Sequence, residues 1–319
     1  MMMNAQHYSP SAGAVVAWHR RPAPSPAISR CARIIRPSPL ALSSAAATTG
    51  TRTAPATTPD PEAPPLQRLL RSGVRAESLP RHVGLVIDGH ARWARARGLS
   101  VSEGHAVGRR TVERTVRLSR AWGIRALTVF ACSHENMTRP KEEIDFFMKL
   151  YKGFIRDNVD EFCREGIRLH LIGDSPGRPA SLLRAAREAH EATRGNSEMV
   201  LMLAIGYSGR RDILRACREL AAEVQRDLLR PEDIDEALIA GKLGTSVAAG
   251  GELSCPDPDL VIRTSGELRL SNFLLWQSAF SELFFSDVMW PDFGEDEYLR
   301  ALRSYQTRRR RFGQRIPCP

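Results

Sequence analysis

Apolar and polar residues follow a regular pattern from Leu79 to near the end of the 319-residue chain. Apolar runs typical of buried strands lie at residues 82–87, 126–132, 167–172, 199–205 and 260–262. Stretches with helix-like patterning lie at residues 106–121, 140–164, 179–194, 210–227 and 294–312. Strands that alternate with connections of helix length predict an α/β fold, in which a single domain holds a central, mainly parallel β-sheet flanked by helices.

Polar segments follow three of the predicted strands, at residues 88–93, 133–140 and 263–272. Each contains an arginine near small residues that carry a hydroxyl or amide group, or near a glycine. A parallel sheet binds its ligands at the carboxyl ends of its strands. We therefore expect the three segments to meet at one edge of the sheet and to form the functional site.

The first of these segments has the residue types of a phosphate site. Gly89 allows the backbone to approach a ligand closely, and the helix after it directs free N–H groups at the turn. Arg92 adds a side chain suited to bidentate recognition of oxygen. Asp88 would repel a bare phosphate unless Mg²⁺ lies between them, and Mg²⁺ binds carboxylates together with substrate phosphates. The alternative is that Asp88 only caps the helix.

A second anion-binding set follows the fifth predicted strand and comprises Arg263, Arg269 and Ser271. Two such sets indicate two phosphorylated substrates rather than one. Apolar residues that would line a channel beside them are Ala131, Phe146, Phe147, Leu150 and Tyr151. Their spacing is equally typical of an ordinary helix–sheet core, so both interpretations stay open.

The first 59 residues contain no Asp or Glu, but they contain six arginines and many Ser, Thr, Ala and Pro residues. Such a composition is typical of an organelle transit peptide, and the alternative is a basic tail with no targeting role. Residues 60–75 are Pro-rich, then basic, and are interpreted as a linker. The prediction is a disordered leader and linker over residues 1–75 and a catalytic domain over residues 76–319.

Composition argues against several classes of protein. No apolar run approaches the ~20 residues of a membrane-spanning helix, and the cysteines lack zinc-type spacing. The leader's arginines supply more than half of the net charge of +10, so the overall pI does not argue for nucleic-acid binding. The basic run 308–311 is interpreted as a solvated helix face rather than a nucleic-acid patch. A transition-metal site at His90 and His105 is the weaker alternative, because their spacing fits no common motif.

Several long stretches of the chain together match the sequence pattern of a known protein family. They are HVGLVIDGHARWARARG, EGHAVG, SHENMTRPKEEIDFFMKL, IRLHLIGD, GYSGRRDI, DPDLVIRTSGELRLSNFLLWQSAFSELFFSDVMWPDF and RRRRFG. On these residues, the chain from about Leu79 to Gly313 resembles the cis-prenyltransferases, the undecaprenyl and dehydrodolichyl diphosphate synthase family. The all-α trans-prenyltransferases use a D-D-x-x-D motif, and no two Asp residues are adjacent in this chain.

The resemblance implies an enzyme that joins isopentenyl diphosphate, head to tail, to an allylic diphosphate of the geranyl, farnesyl or geranylgeranyl class, with a new Z double bond. Asp88 would bind Mg²⁺ and assist departure of the allylic diphosphate, and Glu282 would complete the metal site across a dimer interface. Residues implied in binding the allylic substrate are Gly89, His90, Arg92, Trp93, His105 and Arg139. Residues implied at the isopentenyl diphosphate are Arg263, Arg269 and Ser271, with catalytic support from Ser133, Asn136 and Glu143.

The stretch Arg311-Phe312-Gly313 matches the family's R-x-G element, which reaches the active site of the partner subunit. The resemblance therefore implies that Arg311 and Gly313 contact substrate in a self-sufficient homodimer. Its product would bring the protein into peripheral contact with a membrane, and no nucleic acid is expected as a partner. The leader predicts a plastid location, with the mitochondrion second.

Three departures from the family pattern lie in the predicted site. His90 replaces an Asn, Cys132 replaces a Phe, and Met137 replaces a Trp. Histidine titrates near neutral pH and methionine is more adaptable than tryptophan, so these changes affect substrate choice and rate more than fold. The alternative function is a non-catalytic or weakly active partner subunit of a synthase complex. Product length would depend on side chains along residues 140–164 and 199–205.

Overall fold

Residues 62–249 and 255–315 are described in a computed structural model of the chain, and within them six strands form one sheet. The strands are β1 (His82–Val86), β2 (Ala126–Ser133), β3 (Ile167–Ile172), β4 (Met199–Tyr207), β5 (Leu260–Arg263) and β6 (Glu282–Phe285). Their order is β3-β4-β2-β1-β5-β6, and every neighbouring pair is parallel. The predicted α/β fold is confirmed, β6 is a strand that the pattern missed, and the predicted leader over residues 1–59 lies outside the described residues.

Helices connect and cover these strands. Over the same described ranges they are α1 (Pro65–Arg71), α2 (His90–Arg95), α3 (Val101–Trp122), α4 (Lys141–Arg164), α5 (Ala180–Thr193), α6 (Gly209–Gln225), α7 (Glu236–Lys242), α8 (Gly244–Ala249) and α9 (Glu295–Gln306). A capping box begins α3: Ser100 Oγ accepts from the Glu103 N–H, and Glu103 accepts from the Ser100 N–H. A left-handed glycine, Gly123, ends it. No described helix combines the length and apolarity needed to cross a bilayer.

Apolar side chains cover both faces of the sheet. All nine residues of β4 are buried, which explains its unbroken apolar sequence. One face packs against the long helices through residues such as Val116, Phe154 and Leu182. The other face is covered in part by Phe273 and Leu274, which follow β5. The sheet is therefore enclosed along its sides, and its strand ends are where polar residues gather.

The interpretation of residues 60–75 as a linker is wrong for Pro65–Arg71, which form α1. Leu69 is fully buried in the core, and the Trp122 indole donates a hydrogen bond of 3.0 Å to the Pro65 carbonyl. Arg68 also pairs with Glu295 at 2.9 Å. A seven-residue helix is too short to show a clear amphipathic period, and only its packing stabilises it.

The helix predicted over residues 294–312 ends at Gln306. Beyond it, Arg308 donates to a Glu282 carboxylate oxygen at 2.8 Å and to the Leu283 carbonyl at 2.9 Å, both on β6. Arg310 pairs with Asp259, just before β5. The basic run is therefore not a helix face, because these pairings hold two of its arginines along the edge of the sheet.

Candidate active site

A cavity of about 330 Å³ lies at the carboxyl ends of β1, β2 and β5. Predicted site residues that line it are Asp88, His90, His105, Ser133, Asn136, Arg139, Arg263, Arg269 and Ser271. Each of the three polar segments contributes to this lining, so they do meet where the parallel sheet predicts.

The turn after β1 holds Asp88 at the centre of this cavity wall. Gly89 has φ +104°, and a Cβ on it would lie 2.9 Å from the Cβ of Met289. Thr264 Oγ1 accepts a hydrogen bond of 2.9 Å from the Asp88 N–H, and the Trp290 N–H donates to the Asp88 carbonyl at 2.9 Å. The turn therefore needs glycine, and two other segments fix its backbone.

The Asp88 carboxylate is paired and charged. Arg263 donates to its Oδ2 at 3.0 Å, and the Gly89 N–H donates to its Oδ1 at 2.6 Å. Burial raises the pKa of Asp88, but these hydrogen bonds lower it by more, so the pKa lies below its ordinary value. An anionic carboxylate with 37% of its side chain exposed fits the oxygen-donor chemistry of Mg²⁺.

Arg263 connects that carboxylate to the loop that follows β5. Its side chain is buried, and Nη1 donates to the Arg269 carbonyl and to Ser271 Oγ, each at 2.5 Å. Its Nε has no hydrogen-bond partner among the described residues. Ser271 itself has φ +50°, a left-handed conformation that is costly outside glycine. Arg263 therefore shapes the loop, while Arg269 pairs with Glu267 and leaves 60% of its side chain exposed beside the cavity.

Ser133 and Asn136 close the opposite wall through reciprocal hydrogen bonds of 3.1 Å, each side chain accepting from the other's backbone N–H. Arg139 lines the same cavity and pairs with Glu143 at 2.8 Å. Glu143 does not line the cavity, so within this chain it orients the arginine rather than facing the site.

His90 and His105 form a parallel stack with ring centroids 4.3 Å apart. Burial lowers the pKa of His90 to about 4 and, together with His90 and Arg139, lowers that of His105 to about 3. Both rings are therefore neutral near pH 7 and each offers one N–H donor. No group of three His, Cys, Asp or Glu side chains in the described parts of the chain is placed to hold a metal ion, so the stack gives no support to the transition-metal alternative.

A narrower apolar cavity of about 50 Å³ adjoins the first one. The two share Ile87, His90, His105, Ala131 and Tyr151 in their linings. Leu150 lines the narrow cavity and Phe147 the wide one, whereas Phe146 lines neither. Most of the predicted apolar residues therefore line a cavity. Partly buried Tyr151 also packs in the core, where it donates to the Ala131 carbonyl at 2.7 Å.

Several predicted residues lie outside the cavity lining. Trp93 is buried beneath the Arg97 guanidinium, 4.4 Å from its ring centroid, so it is a packing residue in this chain. Arg92 donates to Ser265 Oγ at 2.7 Å. Arg311 and Gly313 lie in the segment after α9 and do not line the cavity.

Glu282 also lies away from Asp88 within one chain. Through β5, the register places Glu282 beside Leu260 and Leu260 beside Val83, at the start of β1. Asp88 follows the opposite end of that strand. A metal site that contains both carboxylates therefore requires a second copy of the chain.

Sequence reasoning missed three residues that organise the site. Asn272 donates to Glu135 at 2.7 Å and to Ser208 Oγ at 2.6 Å, joining the loops after β2, β4 and β5. Thr264 and Trp290 fix the Asp88 turn, as described above. All three lie within or beside polar loop stretches, but only the fold shows which loops they join.

The comparisons with known proteins agree with this geometry. A family model for undecaprenyl diphosphate synthases matches residues 86–313. Cis-prenyltransferase 4, chloroplastic, from Solanum lycopersicum is 47% identical over 241 residues, which are 76% of this chain and 77% of that protein. Isoprenyl transferase from Bacillus subtilis (strain 168) is 43% identical over 248 residues, which are 78% of this chain and 93% of that protein.

A solved structure is also similar, that of lavandulyl diphosphate synthase from Lavandula x intermedia in complex with dimethylallyl diphosphate. It is 42% identical, with a TM-score of 0.70 over 75% of this chain and 100% of that chain. Both the sequence match and the shared fold therefore span the sheet and its site loops. The chain belongs to the cis-prenyltransferase family of undecaprenyl diphosphate synthase-like proteins.

Proposed function

We propose that the protein is a Z-polyprenyl diphosphate synthase that condenses isopentenyl diphosphate with an allylic diphosphate and releases diphosphate. The observation that carries the proposal is the junction of a polar, arginine-lined cavity with an apolar channel. Diphosphates need fixed cationic donors, and a prenyl chain needs a dry apolar space. Few other substrates require both in one continuous site.

The allylic diphosphate binds beside Asp88, where Arg139 and the neutral imidazole of His105 donate to its oxygens. Asp88 would hold Mg²⁺, and the ion would supply neutralisation of the charge that develops on the departing diphosphate. Arg139 and His105 line the same cavity as Asp88. Donors fixed before the reaction stabilise the departing group without reorganisation.

Isopentenyl diphosphate binds at Arg269 and Ser271, with Arg263 holding that loop in place. The allylic C–O bond breaks and diphosphate leaves, the terminal methylene carbon (C4) of isopentenyl diphosphate forms the new C–C bond to the allylic C1, and loss of a proton from C2 neutralises the positive charge at C3 and forms the new C2=C3 double bond. Asn136 and Ser133 line the same cavity. Separate positions for the two substrates supply the near-attack geometry that the condensation needs.

We further propose a homodimer located in the plastid, which contacts a membrane through its product. The plastid location agrees with the names of two tomato relatives, Cis-prenyltransferase 4, chloroplastic, and Dehydrodolichyl diphosphate synthase CPT5, chloroplastic. Glu282 lies away from Asp88 within one chain, so a metal site that used both carboxylates would require the dimer.

The test is incubation of the purified chain with Mg²⁺, labelled isopentenyl diphosphate and one allylic diphosphate at a time, from dimethylallyl to geranylgeranyl. We expect a Z-prenyl product that disappears in Asp88→Asn and persists in Asp145→Asn, a partly exposed carboxylate of α4 that pairs with Lys141. Absence of product from every starter, with a folded dimer, contradicts the proposal and favours the partner-subunit alternative. A branched product with dimethylallyl diphosphate would place the chain nearer the lavandulyl relative.

A further inference from the structure

The apolar channel runs between α3, α4 and the sheet and has one charged residue in its described lining, Arg109. The His90 and His105 rings stand at the end next to the diphosphate cavity, whereas Arg109 lies one turn farther along α3. With 22% of its side chain exposed, Arg109 also marks where the channel nears solvent. Together with Val112, which lies a further turn along α3, the guanidinium forms the end of the channel away from the histidines.

Two carboxylates hold that guanidinium across the gap between the helices. Its Nε donates to Glu113 on α3 at 2.9 Å, and its Nη2 donates to Asp157 on α4 at 2.6 Å. Asn158 donates to the same Glu113 oxygen at 3.3 Å and thereby steadies it. The side chain is thus tethered from both helices that form the channel.

The guanidinium passes over α4 at a residue without a side chain. A Cβ at Gly153 would lie 3.1 Å from Arg109 Nη1, closer than an ordinary van der Waals contact. Gly153 therefore leaves the space that the arginine occupies. The position of the guanidinium across the channel depends on both Arg109 and Gly153, since a bulky side chain at residue 153 would compete with Arg109 for the same space.

The channel is small for its proposed occupant. Its volume of about 50 Å³ compares with roughly 300–1,000 Å³ for typical ligand pockets. A prenyl chain that reaches its end meets a charged group, and a further isoprene unit must displace the guanidinium from its carboxylates. Each partly exposed pair is weak by itself, but placing methyl groups against a cation also removes its water.

We propose that Arg109, tethered by Glu113 and Asp157 across Gly153, is the end wall of the channel and the residue that limits product length. The inference rests on the proposed prenyl-transfer function and assigns its length specificity. It places the determinant on α3, whereas the sequence pattern pointed to α4 and β4.

The experiment compares product lengths from the wild-type chain, Arg109→Ala and the double variant Arg109→Ala/Glu113→Gln, which neutralises the more buried of the two carboxylates that Arg109 pairs with and leaves only the 62% exposed Asp157 without its partner. The matched control is Arg110→Ala, because Arg110 is the next residue of α3 but is exposed and lines neither cavity. Both Arg109 variants should extend the dominant product by at least one five-carbon unit, and the control should not. Unchanged lengths in folded variants would overturn the proposal.

A binding measurement without turnover separates this proposal from the function itself. Geranyl, farnesyl and geranylgeranyl diphosphates are added without isopentenyl diphosphate, and the shift in Tm is recorded. In the wild-type chain the shift should stop growing at a shorter prenyl length than in Arg109→Ala. If the wild-type chain makes no product, but its Tm shift still stops growing at a shorter prenyl length than that of Arg109→Ala, the end-wall proposal holds and the synthase proposal fails. If the Tm shift depends on prenyl length in the same way in both chains, the end-wall proposal is refuted.

Discussion

Arg263 illustrates how one buried side chain can organise two substrate positions. Its Nη2 holds the Asp88 carboxylate, and its Nη1 holds the Arg269 carbonyl and Ser271 Oγ. A guanidinium makes these contacts together because its donors form a rigid planar fork, whereas an ammonium group is a single point charge. The residue was predicted as a direct anion ligand, yet its contacts here are mainly positioning contacts.

Arg263→Lys should therefore affect stability as well as activity. We expect the free energy of unfolding in urea to fall by about 1–3 kcal/mol, because the charged Asp88 carboxylate, the Arg269 carbonyl and Ser271 Oγ lose the buried donor that holds them. Steady-state kinetics should show kcat/KM reduced on the order of 100-fold. Arg269→Lys provides the contrast, since its side chain is 60% exposed: KM for isopentenyl diphosphate should rise with little change in stability. Equal stability losses in both would contradict the assigned roles.

The stacked imidazoles predict an acid-sensitive fold. Burial lowers the pKa of His90 to about 4 in the folded chain, from 6.5. Below the unfolded value the unfolded chain binds protons that the folded chain does not, so stability is present above about pH 6.5 and falls as the pH drops toward 4. The loss is up to about 1.4 kcal/mol per pH unit for each such imidazole.

Urea unfolding at about pH 7 and pH 5 measures this dependence. The variant His90→Asn should lose less stability between the two values than the wild-type chain does. The same comparison between pH 7 and pH 8 should show no difference. An equal acid-side loss in the variant would remove His90 from the explanation.

Two glycines of α3 allow α2 to pack close enough to form the site. Gly104 and Gly108 face α2, and a Cβ on Gly104 would lie 2.6 Å from the His90 carbonyl oxygen. A Cβ on Gly108 would lie 2.3 Å from the His90 ring. The small residues of the stretch EGHAVG therefore set the distance between α2 and α3 and allow His90 to pack against His105.

Gly104→Ala should destabilise the fold even though alanine favours helices. The added Cβ cannot fit without moving the α2 backbone, and such overpacking costs about 1–3 kcal/mol. Urea unfolding gives the loss, and kcat/KM should fall because the Asp88 turn moves with α2. Gly241→Ala in α7 is the control: no described heavy atom lies within 4 Å of its Cβ position, so it should be neutral or stabilising by up to about 1 kcal/mol.

Long, strongly patterned elements could be predicted from the sequence, whereas short ones could not. The runs at β1, β3 and β4 were assigned to within two residues because buried parallel strands are continuously apolar. The four-residue β6 and the seven-residue α1 are too short to show a period. Gln306 ends α9 because Arg308 and Arg310 pair with the sheet edge, a tertiary contact that no local pattern contains.

The candidate site could be predicted in part for the same reason. Asp88, Ser133 and Arg263 follow strands, so the parallel sheet places them together. The sequence did not show that Trp93 lies outside the cavity lining, because residues adjacent in a helix point in different directions and one sequence pattern does not show which side faces a cavity. Arg109 was not singled out because its role as a channel wall depends on Gly153 of another helix.

The exposed aromatic pair Phe280 and Phe312 lies near the edge strand β6, with ring centroids 5.8 Å apart. Their exposed fractions are 66% and 57%, which is unusual for large apolar side chains. Both flank the segments that carry Glu282 and Arg311. A homodimer through this edge would cover the rings and bring those two residues to a partner.

Mixed dimers test whether the sites are shared. Asp88→Asn and Arg311→Ala should each be inactive alone. When the two variants are co-expressed, each with its own tag, about half of the dimers should be mixed, and each mixed dimer should have one intact site out of two. The co-expressed protein should therefore show about a quarter of wild-type activity. The control pairs Asp88→Asn with Arg263→Gln, which lie in the same site and should not complement. No recovery in the first pair would show that Arg311 acts within its own chain or not at all.

The strand order has a consequence for how the chain acquires its activity. Asp88 and Arg263 are 175 residues apart in sequence, and β1 lies between β2, its nearest strand in sequence, and the late strand β5. Closing so long a loop is slow, and contacts of this range form late in folding. A chain that is still being synthesised or imported, amino end first, therefore has its phosphate-facing turn but not the arginine that completes it. Until β5 pairs with β1, Asp88 lacks the guanidinium of Arg263, and the cavity wall that these two residues share is incomplete.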